Sequence, residues 1–321
     1  MNKPIIISCT FICLSLALIT GCFGADKQTS EIKGRFVFDS NRIDVPDIFI
    51  TESGKTKLLF KQALAPAWSS DGERIACAGS DGNPKKHGLL IIDAKGNKKE
   101  FIEIPAGFVT PTNSNWSPDD TKIYYVPTLW GKKLGRENKV YCYDFLSKTH
   151  VKIIELDEEF RITELRLSPK GDKLMIDGAD KHNLYTYLSN NDGTNLRIIR
   201  HRGVDSAWYP DNEHIAYLAF FDENGQRYTP KSEWGYFIRM NVNTGEVEKL
   251  WLCKTPFLLN LKISKDGKYI YYTAPAPGGG RAIFVSPIDN PDKKIQITES
   301  VYLKPATYGR SQDWNPDWYQ E

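Results

Sequence analysis

The sequence lacks almost every signature that would name a chemistry. Its 42 basic and 40 acidic residues nearly cancel, leaving a formal net charge of +2 over 321 residues. The basic residues are dispersed among acidic ones rather than gathered in a stripe, so no nucleic-acid partner is expected. No internal stretch approaches the ~18 consecutive apolar residues of a membrane helix. The six cysteines form no CxxC pair and no Cys/His cluster at zinc spacing, which argues against a metal site. There is no G-x-S-x-G elbow, H-E-x-x-H, Walker A loop or Rossmann glycine pattern, so neither the chemistry of those motifs nor a cofactor is expected. The five histidines, His87, His150, His182, His201 and His214, do not recur in phase, and a structural role suits them better than convergence on a metal. What is present is core material: 40% hydrophobic and 12% aromatic residues, enough for one large all-β domain.

The first residues form a processing signal. Met1 to Thr20 have a short polar start with Lys3 and then a mostly apolar run, too short to be a comfortable spanning helix. Ile19-Thr20-Gly21-Cys22 resembles the lipobox of bacterial lipoproteins. The resemblance implies a signal peptide over residues 1–21 and lipidation of Cys22, with a diacylglyceryl thioether and an acylated (palmitate-type) amine. More than one chain matters, because a single acyl chain anchors only marginally. Residues 22–34 are polar and aperiodic, which suits a flexible tether. Cys77, Cys142 and Cys253 lie in or beside apolar strand-like runs and read as buried small hydrophobes.

One stretch recurs. Trp68-Ser69-Ser70-Asp71-Gly72 has variants at Trp116-Ser117-Pro118-Asp119-Asp120, Leu167-Ser168-Pro169-Lys170-Gly171, Trp208-Tyr209-Pro210-Asp211-Asn212 and Ile263-Ser264-Lys265-Asp266-Gly267, with a last copy beginning at Trp314. In the first five the next apolar run starts at one offset: Ile75, Ile123, Leu174, Ile215 and Ile270. A large residue, a tight polar turn and a β-rich run read as a hairpin, since Asp-Gly and Asp-Asn tolerate positive φ. Each unit continues with two more short strands, such as Leu89–Asp93 and Glu100–Ile104. Four strands per unit make a propeller blade, and markers 41 to 55 residues apart fit propeller periods. Ahead of Trp68 lie three strands whose first partner is missing, and Trp314 begins a first strand at the other end. Joining them removes exposed edges. The sequence therefore predicts an all-β, six-bladed β-propeller over residues 35–321, with the first blade completed by the C-terminal strand.

The repeat resembles the propellers of TolB and related bacterial families with W-S-P-D-G-like motifs, over residues from about 35 to 321. The resemblance implies the fold and leaves function open, because this fold hosts many activities. TolB proper carries an α/β domain before its propeller, and only a short tether fits here between Cys22 and Arg35.

Two candidate sites follow from the topology. Loops joining second to third strands, and fourth strands to the next blade, share one face, and variable loops on a rigid scaffold are where binding concentrates. The longest are Pro127 to Asn138, with Trp130, Lys132, Lys133 and Arg136, and Phe221 to Trp234, with Arg227, Tyr228, Lys231 and Trp234 itself. Tryptophan beside basic residues suits a peptide, glycan or anionic surface, although the same tryptophans serve equally well as hydrophobic caps on their own hairpins. The second candidate is the channel mouth. Three residues before the markers stand Ala65, Asn113, Glu164, Asp205, Asn260 and Ser311; one before stand Ala67, Asn115, Arg166, Ala207, Lys262 and Asp313. Such rings hold a small ligand or ion, or simply line a solvated channel. The chain thus reads as a lipid-anchored, non-catalytic binding module of the bacterial cell envelope with a protein or glycan partner. The alternative is a small envelope enzyme of lyase or cyclotransferase type acting on a glycan or peptide at the channel mouth.

Overall fold

A strand covered on both faces reads as an unbroken apolar run, and the middle strands of this chain are built that way. The computed structural model describes residues 32–42, 46–83, 86–128, 138–201, 203–219, 235–253, 258–277, 279–300 and 313–320. Cys22, Trp130, Lys132, Lys133, Arg136, Arg227, Tyr228, Lys231, Trp234 and Ser311 lie outside them. β1 (Arg35–Ser40), β2 (Asp47–Glu52) and β3 (Lys55–Phe60) belong to blade 1. Blade 2 is β4 (Leu64–Trp68), β5 (Arg74–Ser80), β6 (His87–Asp93) and β7 (Lys98–Glu103). Blade 3 is β8 (Thr110–Trp116), β9 (Lys122–Thr128), β10 (Lys139–Asp144) and β11 (Thr149–Glu155). Blade 4 is β12 (Arg161–Leu167), β13 (Lys173–Ala179), β14 (Leu184–Asn190) and β15 (Arg197–His201). Blade 5 is β16 (Gly203–Trp208), β17 (His214–Ala219), β18 (Tyr236–Asn241) and β19 (Val247–Leu252). Blade 6 is β20 (Leu259–Ile263), β21 (Tyr269–Pro275), β22 (Arg281–Pro287) and β23 (Ile295–Gln296).

The last strand, β24 (Asp313–Tyr319), pairs antiparallel with β1 and becomes the innermost strand of blade 1. Six four-stranded antiparallel sheets result, and the expected six-bladed propeller with its shared first blade is what forms. Second and third strands are buried along most of their length, as at β5, β6 and β13, because blades cover both of their faces. Fourth strands such as β3 and β19 carry exposed charged or polar residues near their start, Lys55, Thr56 and Lys57 in one and Glu248 and Lys249 in the other, and charged side chains on an edge discourage pairing with other chains. Each of six apolar clusters lies between two adjacent blades, so every blade contributes to two cores. At the closure, Trp318 stacks on Phe36 at 4.8 Å and meets Tyr271 edge-on at 5.7 Å. Its indole N–H donates to the Lys33 carbonyl at 3.0 Å.

The register corrects one detail of the sequence reading. In the intact repeats the marker residue pairs with the start of the apolar run, as Trp68 does with Ile75 and Trp116 with Ile123. In blade 1 the residue so paired is Trp318, opposite Phe36, not Trp314. A β-bulge three residues earlier gives Ala65, Asn113, Asp205, Asn260 and Asn315 positive φ of 48° to 55°. The last copy is therefore displaced by four residues. Asn315 and Asp317 take the ring positions that the sequence assigned to Ser311 and Asp313.

Candidate functional site

The repeat motif is a hydrogen-bonded box. In blade 3 the Ser117 hydroxyl donates to Asp119 Oδ1 at 2.6 Å and accepts the Lys122 amide at 2.9 Å, while Asp119 also accepts the Thr121 hydroxyl at 2.9 Å. The Ser117 hydroxyl and the Thr121 amide hold the Asp119 carboxyl below the usual carboxylate range. Ser69 and Asp71, and Ser264 and Asp266, repeat the same pairing. The next residue, Gly72, Asp120, Gly171, Asn212 or Gly267, has positive φ in all five copies, as Asp-Gly and Asp-Asn turns require. Neighbouring boxes interlock: Asp120 accepts the Ser70 amide at 2.7 Å and Asn212 accepts the Lys170 amide at 2.9 Å.

Inner strands bring the channel residues together. Asn113, Glu164, Arg166, Asn260, Lys262 and Asn315 line one cavity of about 40 Å³, room for a few waters or a small ion but not for a sugar ring. Glu164 pairs with Arg166, and Lys262 donates to Asp317 at 2.8 Å. Asn260 Nδ2 donates to Asn315 Oδ1 at 3.2 Å, and Asn315 Nδ2 donates to Asp39 Oδ1 at 2.8 Å. Asp205 is only 7% exposed and accepts the Asn260 amide at 2.8 Å. Burial, and then the Glu164 charge, push its carboxyl up to about 7 against the opposing pull of the Asn260 amide and Arg166. Toward the motif hairpins the channel widens into a cavity of about 240 Å³ between Trp68, Trp116, Pro118, Pro169, Lys262 and Asp317.

Asp313 is not on this ring. It lies fully buried at the start of β24, accepting Ser40 Oγ at 2.7 Å, Thr298 Oγ1 at 2.6 Å and Arg42 at 2.6 Å. Burial raises its pKa despite Arg42. Sequence reasoning also missed Asp39 and Asp177. Each stands three residues after the residue opposite the marker and accepts an amide from the next blade, Ala65 N at 3.0 Å and Ser206 N at 2.8 Å. A carboxylate inside an apolar run was the signal: an unpaired acid there is too costly to be incidental.

The histidines that the structure describes in detail are structural. His150 bridges the Tyr125 hydroxyl at 2.8 Å and the Glu103 carbonyl at 3.0 Å, and burial lowers its pKa. His214 sits 2.7 Å from Asp211 within its own hairpin. Cys77, Cys142 and Cys253 are buried free thiols, and burial pushes Cys77 up to about 12 and Cys142 up to about 11. Among the described residues, no group of three or more His, Cys, Asp or Glu is arranged to hold a metal ion.

No protein-family model matches the sequence, and no curated protein matches it either. Solved structures do. The TolB structure from Acinetobacter baumannii aligns with 90% of this chain and 67% of its own, at a TM-score of 0.62 and 16% identity. A putative TolB from Agrobacterium tumefaciens aligns over 90% and 100%, at 0.59 and 13%. The fold is a TolB-like propeller. An oligogalacturonate lyase in complex with manganese aligns over 81% and 73%, at 0.59 and 15%. At these identities what is shared is the propeller architecture, and an architecture does not by itself specify an activity.

Proposed function

We propose that this protein is a lipid-anchored binding module of the bacterial cell envelope, tethered through Cys22 and engaging its partner on a face of the TolB-like propeller. The observation that carries this reading is the channel. Its own paired side chains leave about 40 Å³ around Glu164 and Arg166, so a macromolecular ligand is held outside it. The ring around it is stiffened by interlocked boxes and inter-blade carboxylate–amide bonds, which suits a scaffold whose variable loops do the recognising. In this reading Trp130 and Trp234 are the anchors, with Lys132, Lys133, Arg136, Arg227 and Tyr228 around them, facing a protein or glycan with acidic character. The test combines anchoring and capture. Cys22→Ser should abolish metabolic labelling with palmitate, and the Trp130→Ala/Trp234→Ala double variant should lose ~2 kcal/mol or more of partner affinity. A serine variant that still takes label overturns the anchor, and equal capture by both proteins overturns the tryptophan site.

One observation favours the enzymatic alternative. Asp205, with its carboxyl near 7 beside Glu164 and Arg166, is the kind of perturbed acid that serves as a general base. A propeller neighbour being an oligogalacturonate lyase makes a uronate polymer the substrate to try. The 40 Å³ beside Glu164 and Arg166 admits no sugar ring, so this reading requires the channel side chains to part around the substrate. Release of unsaturated oligogalacturonides by the wild type, lost in Asp205→Asn, would establish it in place of the first.

A further inference from the structure

At the rim of the junction between blades 3 and 4, the segment joining β11 to β12 meets the turn joining β13 to β14. Phe160, Tyr185 and Tyr187 wall a cavity of about 450 Å³ there, with Ile198 as an apolar shelf. That volume falls within the range of ordinary ligand pockets. Phe160 stands edge-on to Tyr187 at 5.2 Å, and Tyr185 lies 6.2 Å from each of them. The pocket floor is fixed: Phe160 is buried, and a side chain on Gly178 would run into its ring. Asn138 Nδ2 ties the segment down from blade 3, donating to the Leu156 carbonyl at 2.7 Å.

The rim is acidic. Asp157, Glu158, Glu159 and Asp180 surround the rings, against Lys181 and Arg161 as the adjacent cations. Lys181 is already paired with Glu159 at 2.9 Å, and Asp180 accepts the His182 and Asn183 amides at 2.7 Å each. The Asp157 carboxylate takes neither a hydrogen bond nor an ion pair among the described residues; only its carbonyl is engaged. Aromatic faces and carboxylates attract the same thing, a cation. The shelf at Ile198, 41% exposed, adds a surface for an aliphatic stem. Lysine and arginine side chains combine such a stem with a charged head, whereas a compact ammonium ion would leave the shelf uncovered.

We propose that this pocket receives a lysine or arginine side chain from an extended segment of a protein partner, a proposal that rests on the binding-module reading. It lies on the face where β9 and β17 end, at Thr128 and Ala219. The probes are an arginine–glycine hexapeptide, its glutamate–glycine counterpart and a chitosan tetrasaccharide, each titrated into the full-length protein. The arginine peptide should bind, and Tyr187→Ala should weaken it about tenfold or more, while Tyr187→Phe, which keeps the ring face, should not. The exposed pair Asp157→Asn/Glu158→Gln should weaken it severalfold and flatten its dependence on salt. Equal binding by Tyr187→Ala, or by the Asp157/Glu158 variant, overturns the proposal. Binding of chitosan alone overturns it in favour of a cationic glycan, and binding of the glutamate peptide alone overturns the charge assignment. A partner captured through Trp130 and Trp234, with the arginine peptide ignoring this pocket, would refute the pocket and leave the binding-module reading standing.

Discussion

Asp205 shows what a single buried carboxyl does to this molecule. Its pKa rises from an ordinary carboxylate value to about 7 on folding, so between about pH 4 and 7 the native state holds a proton that the unfolded chain has released. Stability then falls as pH rises through that window, and above it the full cost of an ionised buried acid is present. Asp205→Asn keeps an acceptor for the Asn260 amide and removes the charge. Its urea midpoint should exceed that of the wild type by the equivalent of a few kcal/mol at pH 8, the difference vanishing near pH 4. A variant no more stable than the wild type at pH 8 would mean that Arg166 already neutralises the site. Asp313 and Asp39 are also raised by burial and steepen the same trend in the wild type.

The motif hairpin is the element that repeats, and its fifth residue is where conformation and packing coincide. Gly72 has φ +69°, and a methyl there would overlap the ring of Tyr319 from the closing strand. Gly245, in a third-to-fourth strand turn, has φ +78°, and a methyl there would meet nothing within 4 Å. The two glycines separate backbone strain from steric conflict. Gly245→Ala should cost about 1–2 kcal/mol, the price of a left-handed alanine. Gly72→Ala should cost more, about 3 kcal/mol or above, because Tyr319 must also move. Comparable melting temperatures for the two variants would show that the hairpin and the closing strand are not coupled.

At the scale of the whole ring, closure depends on β24. Trp318 is 8% exposed and joins blade 1 to blade 6 through Phe36 and Tyr271. Trp314 is half-buried, with the Arg281 guanidinium 4.8 Å over its ring. Trp318→Ala should therefore destabilise by ~3–5 kcal/mol and Trp314→Ala by clearly less, measured as the shift in denaturant midpoint. Deleting residues 311–321 should do more than either, exposing β1 as an open edge and promoting aggregation. A soluble truncated protein with an unchanged melting temperature would show that the ring closes without this strand.

The sequence by itself determined the blades, because turn chemistry and apolar runs are local: Ser117-Pro118-Asp119-Asp120 makes its box from residues within five positions of one another. It also determined that the two chain ends share a blade, since three strands without a first and a first without its followers are countable. It misplaced the last marker by four residues because Trp314 precedes a Pro-Asp pair as Trp116 and Trp208 do, whereas Trp318 is followed only by Tyr319-Gln320-Glu321. Only the register against β1 chooses Trp318. The channel ring was half legible. Asn113, Glu164, Arg166, Asn260 and Lys262 converge as their phase implied, whereas Asp39 and Asp177 act on neighbouring blades, a relation that no spacing within one unit encodes. The pocket of Phe160, Tyr185 and Tyr187 was invisible for the same reason. Its walls come from a connecting segment and a third strand that meet only when two blades pack together, and packing between blades is decided by the closed ring rather than by any stretch of chain.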